Sequence, residues 1–264
     1  MKPWITLATA PAPGGGDGDG DGARGQLALL RRDTEYVIRV RGAELMSSRR
    51  HGSEEEMARL AAAAIGRRDA CVLVGGLGFG YTLRASKAQL GRGGRIVVAE
   101  ISPAVVEWNR GLVGHLAGHP LDDARVRVAC VDVRELLADA PAAFDAILMD
   151  VDNGPSALSL PTNQLLWNRT GMLAIARALI RDPKIILLDE PFEGLAPVIV
   201  QELMNVCRDL AAAGLTMVLV EQNLAATLAL AHRVYIINNG HIVHEGAAAE
   251  IKAQPQLLQR YLGL

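Results

Sequence analysis

From residue 70 onwards, short apolar runs alternate with longer segments in which apolar residues recur at helical spacing. The runs with the length and composition of buried parallel strands are CVLVGG, RIVVAE, VRVACV and FDAILMD. They are separated by segments that predict helices, such as PAVVEWNRGLVGHL and VRELLADA. This alternation predicts an α/β fold with a Rossmann-like, doubly wound, mostly parallel sheet.

The first seventy residues have a different pattern. Residues 11–25 form a Gly/Asp-rich tract with little to bury, and we expect the N-terminal segment 1–26 to be flexible. Two β-rich runs follow, QLALLRR and EYVIRVRG, and predict a hairpin. The run SEEEMARLAAAAIG predicts a helix, because its acidic residues fall in the first turn.

The pattern after residue 170 again combines helices and strands. A helix at GMLAIARALI precedes a strand at KIILLDE, and a long helix over residues 196–214 precedes a strand at TMVLVEQ. Two short strands on either side of Asn239-Gly240 predict a second hairpin, since Asn-Gly favours a tight turn. A terminal helix follows.

Composition limits the compartment and the partners. The net charge of −2 gives no basic surplus for nucleic acid. No stretch approaches the ~20 apolar residues of a membrane span. Cys71, Cys130 and Cys207 lie far apart, with neither metal-site spacing nor an even number for pairing. We therefore expect buried structural thiols in a cytoplasmic protein that does not insert into a membrane.

Residues suited to ligand binding follow four of the predicted strands. The glycine-rich turn from Gly75 to Gly80 opens a helix, and its backbone can pass close beneath a ligand. The next three strands end at Glu100, Asp132 and Asp150. Because ligands of open parallel sheets bind at the carboxyl ends of the strands, these residues predict a nucleoside site. The alternative is a tight turn with acids that only cap helices.

With these residues in view, segment 27–167 resembles the spermidine-synthase-like branch of the class I methyltransferase fold. The motifs that carry the resemblance are LMSSRRHGSEEEMA, VLVGGLGFGYTLRA, VVAEISPAVVEWNRG, HLAGHPLDDARV and FDAILMDVDNGP. The resemblance implies a site for an S-adenosylmethionine-type nucleoside, either the decarboxylated form or methylthioadenosine. It places Gly76, Gly78 and Gly80 under the ligand. It places Glu100 on the ribose and Asp132 near the adenine.

The resemblance also implies two catalytic carboxylates. Aminopropyl transfer needs a base that takes a proton from the attacking amine, because an ammonium is not a nucleophile. Asp150 matches that position, and Asp152 is the second candidate. Polyamine synthases carry a second acid directly before a proline, whereas here Asn153-Gly154 separate Asp152 from Pro155. Their acidic and aromatic diamine-binding residues are replaced by residues 49–53, so the acceptor stays open.

The strand KIILLDE ends in two adjacent acids, Asp189 and Glu190. In a nucleotide-hydrolysing ATPase, the first holds magnesium and the second polarises the attacking water. Two acids at the end of a strand are also a common helix cap.

The longer C-terminal pattern resembles the ABC transporter ATPases, especially those of branched-chain amino acid and urea importers. The motifs that carry it are GMLAIARALIRDPKIILLDEPFEGLAPVIV, TMVLVEQN, AHRVYIINNGHIVHEG and LLQRYLGL. The resemblance implies that Asp189 and Glu190 are the Walker B pair and that residues 193–196 form the D-loop. It places Gln222 where many ABC proteins have a switch histidine.

The phosphate-binding elements of that family are missing from the sequence. No G-x-x-x-x-G-K-[ST] occurs anywhere, so no lysine and hydroxyl cradle the phosphates and magnesium. The ABC signature before MLAIARAL is replaced by residues 166–170. The remaining acids repel a triphosphate in the absence of a metal. We expect no ATP hydrolysis by this chain alone, and Asp189 would hold magnesium only if ATP binds.

The two resemblances divide the chain into segments 1–26, 27–167 and 168–264. A methyltransferase fold continues after its fourth strand with a helix and a fifth strand, and residues 184–189 have the length and apolarity for that fifth strand. We therefore expect one continuous sheet. The alternative is two loosely packed lobes, each with an exposed edge strand.

These patterns leave three functional hypotheses. The first is an S-adenosyl-nucleoside-binding aminopropyl or methyl transferase of the spermidine-synthase-like class, with an amine or other small acceptor. The second is an ATP-binding subunit or remnant of a branched-chain amino acid ABC transporter, with a permease as partner. The third is an inactive fusion or designed chimera. The sequence leaves the oligomeric state open.

Overall fold

The computed structural model describes most of the chain as three sheets with helices packed around them. The described residues are 2–13, 26–40, 42–49, 52–139, 143–149, 185–192, 195, 197–238 and 241–262. Within these ranges lie a four-stranded antiparallel sheet, a six-stranded parallel sheet and a two-stranded hairpin.

The N-terminal sheet is antiparallel, in the order β1-β2-β3-β4. Its strands are β1 (Ile5–Pro11), β2 (Gln26–Arg32), β3 (Glu35–Val40) and β4 (Ala43–Ser47). The predicted hairpin is confirmed as β2 and β3. Within the segment 1–26 that is expected to be flexible, β1 pairs with β2 and packs Leu7 against the core. Most of the Gly/Asp tract, residues 14–25, lies outside the described residues.

The parallel sheet has the order β10-β9-β8-β5-β6-β7. Its strands are β5 (Cys71–Gly75), β6 (Arg95–Ala99), β7 (Val126–Ala129), β8 (Ala146–Met149), β9 (Ile185–Asp189) and β10 (Thr216–Val220). The predicted Rossmann-like, mostly parallel sheet is confirmed.

The helices of the described ranges begin with α1 (Gly52–Ile65), α2 (Tyr81–Gln89), α3 (Pro103–Arg110) and α4 (Val133–Asp139). They continue with α5 (Pro197–Ala212), α6 (Leu224–Leu230), α7 (Ala248–Ala253) and α8 (Pro255–Leu262). The predicted C-terminal hairpin is β11 (Arg233–Asn238) with β12 (His241–Ala247). No described helix is long and apolar enough to span a membrane.

Helix α3 is shorter than the sequence pattern predicts. It ends at Arg110 because Gly111 leaves the helical conformation and its amide bonds back to Glu107 and Trp108. The apolar residues that follow continue in a 3₁₀ helix, Gly114–Ala117, rather than in the same α-helix.

Strand β9 lies in segment 168–264 and pairs with β8 of segment 27–167. The two strands pair in parallel from Ala146↔Ile185 to Met149↔Leu188, and β10 pairs with the other side of β9. The expectation of one continuous sheet is therefore confirmed.

The side chains of β9 alternate between two hydrophobic cores, as the twofold period of a strand requires. Ile185 and Leu187 belong to the core formed with α1, α2 and α3, which also contains Trp108. Ile186 and Leu188 belong to the core formed with α4 and α5 on the other face. The four residues are buried, so β9 joins both halves of the hydrophobic interior.

The cysteines differ in their surroundings. Cys207 is buried and Cys71 is partly buried, whereas Cys130 is exposed, so the expectation of three buried thiols is wrong for Cys130. Burial raises the pKa of the Cys207 thiol to about 11.

A substitution in β9 tests whether the sheet unfolds as one unit. Leu187→Ala removes a fully buried side chain, and we expect it to lower the free energy of unfolding by about 2–5 kcal/mol. The measurement is urea unfolding followed by Trp108 fluorescence, with Trp4 and Trp167 replaced by phenylalanine. We expect the Trp108 transition to shift together with the far-UV circular dichroism.

The control is Val243→Ala on β12, where an exposed side chain changes stability by no more than about 0.5 kcal/mol. A Trp108 transition that keeps its midpoint in Leu187→Ala would contradict the single unit.

Candidate functional site

The order of the parallel strands creates a switch point at the carboxyl ends of β5 and β8. The chain passes from β5 to β6 and β7 on one side, and then returns to β8, β9 and β10 on the other. Ligands of open α/β sheets bind in the crevice at such a point. Strands β5 and β8 end at the paired residues Gly75 and Met149, and Glu100 directly follows β6.

Three glycines of the turn between β5 and α2 have a left-handed backbone conformation. Gly76, Gly78 and Gly80 have φ angles of 90°, 50° and 83°, in the left-handed region. A Cβ atom on Gly78 would lie only 2.3 Å from the sulfur of Met46. Position 78 therefore favours glycine for its backbone angle, and the end of the Met46 side chain on β4 would have to move to admit a Cβ atom there.

Glu100 fixes this turn to the end of β6. Its buried carboxylate accepts a hydrogen bond from the amide of Leu77 (2.9 Å) and another from the amide of Ser102 (2.8 Å). The structure thus places the predicted ribose-binding residue directly beside the glycine turn. Its contact with ribose stays a prediction.

The Gly78–Phe79 peptide contacts two residues that have no role in the sequence analysis. Asn109 on α3 donates from Nδ2 to the Gly78 carbonyl (2.8 Å), and the Phe79 amide donates to Sδ of Met46 (3.0 Å). Asn109 could have been found as a polar residue on the apolar face of a predicted helix, four residues after Val105. For Met46, the sequence gives no comparable signal.

Asp132 forms an ion pair with Arg134 after strand β7. Its Oδ2 lies 2.6 Å from Nη2 of Arg134, and its Oδ1 accepts the backbone amide of the same residue (2.8 Å). Burial raises the pKa of Asp132, but the hydrogen bonds and charge of Arg134 outweigh it and the pKa is lowered. An adenine amino group would have to share this carboxylate with Arg134.

The predicted catalytic acids, Asp150 and Asp152, lie outside the described residues. The described strand β8 ends at Met149, immediately before Asp150 in the sequence. A Cβ atom on Gly75 would lie 2.8 Å from the sulfur of Met149, so β5 and β8 pack closely at the switch point.

The candidates of segment 168–264 lie at the carboxyl ends of β9 and β10, on the same edge of the sheet as the glycine turn. Asp189 ends β9 and pairs with Val220 of β10. Glu190 follows with a φ of 46°, uncommon for a residue with a side chain, and its Oε1 accepts from Nε2 of Gln222 (2.5 Å). The structure therefore brings Asp189, Glu190 and Gln222 together. Of the predicted D-loop, only Leu195 is described.

Glu221 is a further carboxylate at this edge to which the sequence analysis gives no role. It accepts the backbone amides of Phe192 (2.7 Å) and Asn223 (3.2 Å). Burial raises its pKa, and the charge of Glu190 acts in the same direction, while the amide bonds oppose the shift. Its contacts identify Glu221 as a side chain that ties the β10 end to the segment after β9.

Comparison with curated proteins shows similarity to ATP-binding subunits of transporters. BraG, the high-affinity branched-chain amino acid transport ATP-binding protein of Pseudomonas aeruginosa, is 46% identical over 92 residues, which are 35% of this chain and 40% of BraG. LptB, the lipopolysaccharide export system ATP-binding protein of Acidithiobacillus ferridurans, is 42% identical over 89 residues, 34% of this chain and 37% of LptB. The chain thus spans about two-fifths of these relatives. No family model matches it.

Comparison with solved structures shows similarity to spermidine synthases. The enzyme from Thermotoga maritima has a TM-score of 0.49 and 17% identity, covering 66% of this chain and 53% of its own. A spermidine synthase in complex with the transition-state analogue AdoDATO has a TM-score of 0.48 and 17% identity, with coverages of 66% and 52%. The ABC part of the predicted two-part resemblance has counterparts among the curated proteins.

The ion pair at Asp132 makes a prediction for acid titration. Replacing Arg134 by methionine removes the charge and side-chain bonds that lower the Asp132 pKa, so we expect this pKa to rise above its wild-type value. The measurement is an NMR titration of the Asp132 carboxyl carbon.

The same pair should affect stability in acid. A lowered folded-state pKa contributes stability that is present above the unfolded-state pKa, about 3.9, and is lost as the pH falls through the folded-state value. We therefore expect the wild type to lose more stability than Arg134→Met on acidification through that range. An unchanged Asp132 pKa in the variant would contradict the assigned cause.

Proposed function

We propose that this chain is an S-adenosyl-nucleoside-binding transferase of the spermidine-synthase-like class, fused to a partial ABC ATPase. The observation that carries the proposal is the glycine turn at the switch point of the parallel sheet, held by Glu100 at the end of the next strand. A turn of this kind lets a ligand approach backbone amides closely, and a carboxylate beside it suits vicinal hydroxyls.

The residues of the turn fit a nucleoside better than a triphosphate. Gly76, Gly78 and Gly80 offer backbone surface without side chains, and Glu100 adds a negative charge beside them. A carboxylate binds ribose hydroxyls by accepting their hydrogen bonds, whereas it repels phosphate. Asp132 would contact the adenine in the same cleft.

The reaction that we propose is transfer of an aminopropyl group to an amine. The acceptor nitrogen attacks the carbon attached to the sulfonium, the C–N bond forms and the C–S bond breaks with its electron pair on sulfur. Methylthioadenosine leaves, and the amine loses one proton. Asp150 would take that proton, with Asp152 as the second candidate. Transfer of a methyl group from the same kind of sulfonium is the variant reaction.

The alternative is the ATP-binding subunit of a transporter, favoured by the identity to BraG and by the contact between Glu190 and Gln222. In that case Asp189 would bind magnesium, and a permease would be the partner. The absence of a lysine-containing phosphate loop from the sequence argues against tight ATP binding by the chain alone.

Calorimetric titration of the full chain distinguishes these functions. We expect methylthioadenosine to bind, and ATP with magnesium to show no binding under the same conditions, because the amides and carboxylate of the turn suit an uncharged nucleoside. Tight, magnesium-dependent ATP binding without methylthioadenosine binding would favour the transporter subunit. A folded chain that binds neither would indicate an inactive fusion.

A charge-matched pair of variants tests Glu100 directly. Glu100→Gln places an amide donor against the amide of Leu77 or Ser102 and removes the charge, so we expect methylthioadenosine affinity to fall about tenfold or more. Glu107→Gln makes the same change at an exposed position on α3 and should leave affinity unchanged. Equal methylthioadenosine affinities for the two variants would contradict a role of Glu100 in binding.

A further inference from the structure

We propose that Asn109 is the fixed anchor and Met46 the displaceable cover of the Gly78–Phe79 peptide, so that nucleoside binding exchanges the Met46 sulfur for a ligand oxygen. The inference rests on the proposed function and deepens it. It assigns positioning roles to two residues outside the predicted site. The observation behind it is that one peptide group is hydrogen-bonded both at its carbonyl oxygen and at its amide.

The two contacts lie on opposite sides of the turn. Since the peptide is trans, its carbonyl and amide point in opposite directions. The Gly78 carbonyl accepts from Asn109 on α3, and the Phe79 amide donates to Met46 on β4. The orientation of the peptide is therefore set jointly by the parallel-sheet domain and the N-terminal sheet.

Asn109 has the properties of an anchor. It is 1% exposed, and Nδ2 donates to the carbonyls of Gly78 (2.8 Å) and Val105 (3.0 Å). Its Oδ1 has no hydrogen-bond partner and lies 3.3 Å from the Cβ position of Gly80. If the Asn109 amide were turned around, its oxygen would face the carbonyl oxygens of Gly78 and Val105. The two donated hydrogen bonds therefore fix the orientation of the amide.

The unpartnered Oδ1 of Asn109 indicates that the role of this amide lies with its Nδ2 donors. Burying an acceptor without a partner is unfavourable, and an apolar side chain of similar size would avoid it. Asn109 is therefore explained by its donors, which hold the Gly78 carbonyl away from the ligand side of the turn.

Met46 has the properties of a cover. Its sulfur lies on the Phe79 amide and within 2.3 Å of the Cβ position of Gly78, so it fills the space directly over the turn. A thioether is a weak acceptor on an unbranched, adaptable side chain. A ligand oxygen is a stronger acceptor for the same amide, and its arrival makes the exchange favourable.

The cover lowers the apparent affinity for the ligand, since only the fraction of molecules with Met46 withdrawn can bind. Removing it should raise the affinity. Removing the anchor should lower the affinity, because the amide is then no longer held in the orientation that the ligand needs.

The test is calorimetric titration of the full chain with methylthioadenosine. We expect Met46→Ala to bind about threefold to fivefold more tightly than the wild type, and Asn109→Leu about fivefold more weakly. Met204→Leu, which changes a methionine on α5 that packs into the other core, should bind like the wild type. Weaker binding by Met46→Ala, or unchanged binding by Asn109→Leu, would overturn the proposal.

A second measurement follows the Phe79 amide proton by NMR exchange and needs no ligand. We expect Met46→Leu, which keeps the volume but removes the sulfur, to speed exchange at Phe79, whereas Met204→Leu should not. Methylthioadenosine should restore protection in Met46→Leu. Failure of the wild type to bind methylthioadenosine overturns the proposed function together with this inference. Normal binding with unchanged Phe79 exchange in Met46→Leu overturns this inference alone.

Discussion

The parallel pairing of β8 with β9 is the contact on which the rest of the structure depends. Four residue pairs, from Ala146↔Ile185 to Met149↔Leu188, join a strand of segment 27–167 to a strand of segment 168–264. Without it, each segment would expose an edge strand with unpaired backbone groups. With it, Leu187 and Leu188 enter the cores on opposite faces of one sheet.

The same pairing places the described candidate residues of both segments on one edge of the sheet. The carboxyl ends of parallel strands lie together, so the glycine turn after β5 and the acids after β9 and β10 share an edge although they derive from different resemblances. The glycine turn is fixed by Glu100 after β6, Asn109 on α3 and Met46 on β4. The acids after β9 are fixed by a bond from the Glu190 amide to the Val220 carbonyl and by a bond from the Phe192 amide to the Glu221 carboxylate. The first arrangement is the one for which we propose a nucleoside, and the sequence gives the second no phosphate loop.

The sequence predicts the features that depend on local patterns. Buried parallel strands are short apolar runs, and this signal located β5 to β10 and the turn that follows β5. It also allowed β9 to be placed as the fifth strand, because length and apolarity are sufficient for a central strand. The apolar pattern predicted too long a helix at α3, because a single residue, Gly111, leaves the helical conformation and ends the helix. It also gives no prediction of β1, which is paired with a strand that lies beyond the Gly/Asp tract.

Side-chain partners were the least predictable part of the site. The pairing of Asp132 with Arg134, and the contacts of Asn109 and Met46 with one peptide, depend on directions in space that residue types do not encode. Glu100 was recognisable because its spacing from the glycine turn follows a recurrent chemical need. Its bonds to the amides of Leu77 and Ser102 became visible only in three dimensions.

Native-state hydrogen exchange tests the single sheet most directly. The amides of Ile186 to Leu188 in β9 can be compared with those of Val72 to Val74 in β5 across a denaturant series. If the sheet is one cooperative unit, both sets will exchange with the same free energy and the same dependence on denaturant. If β9 exchanges at a much lower free energy while β5 stays protected, the two segments are separate units and the account is wrong.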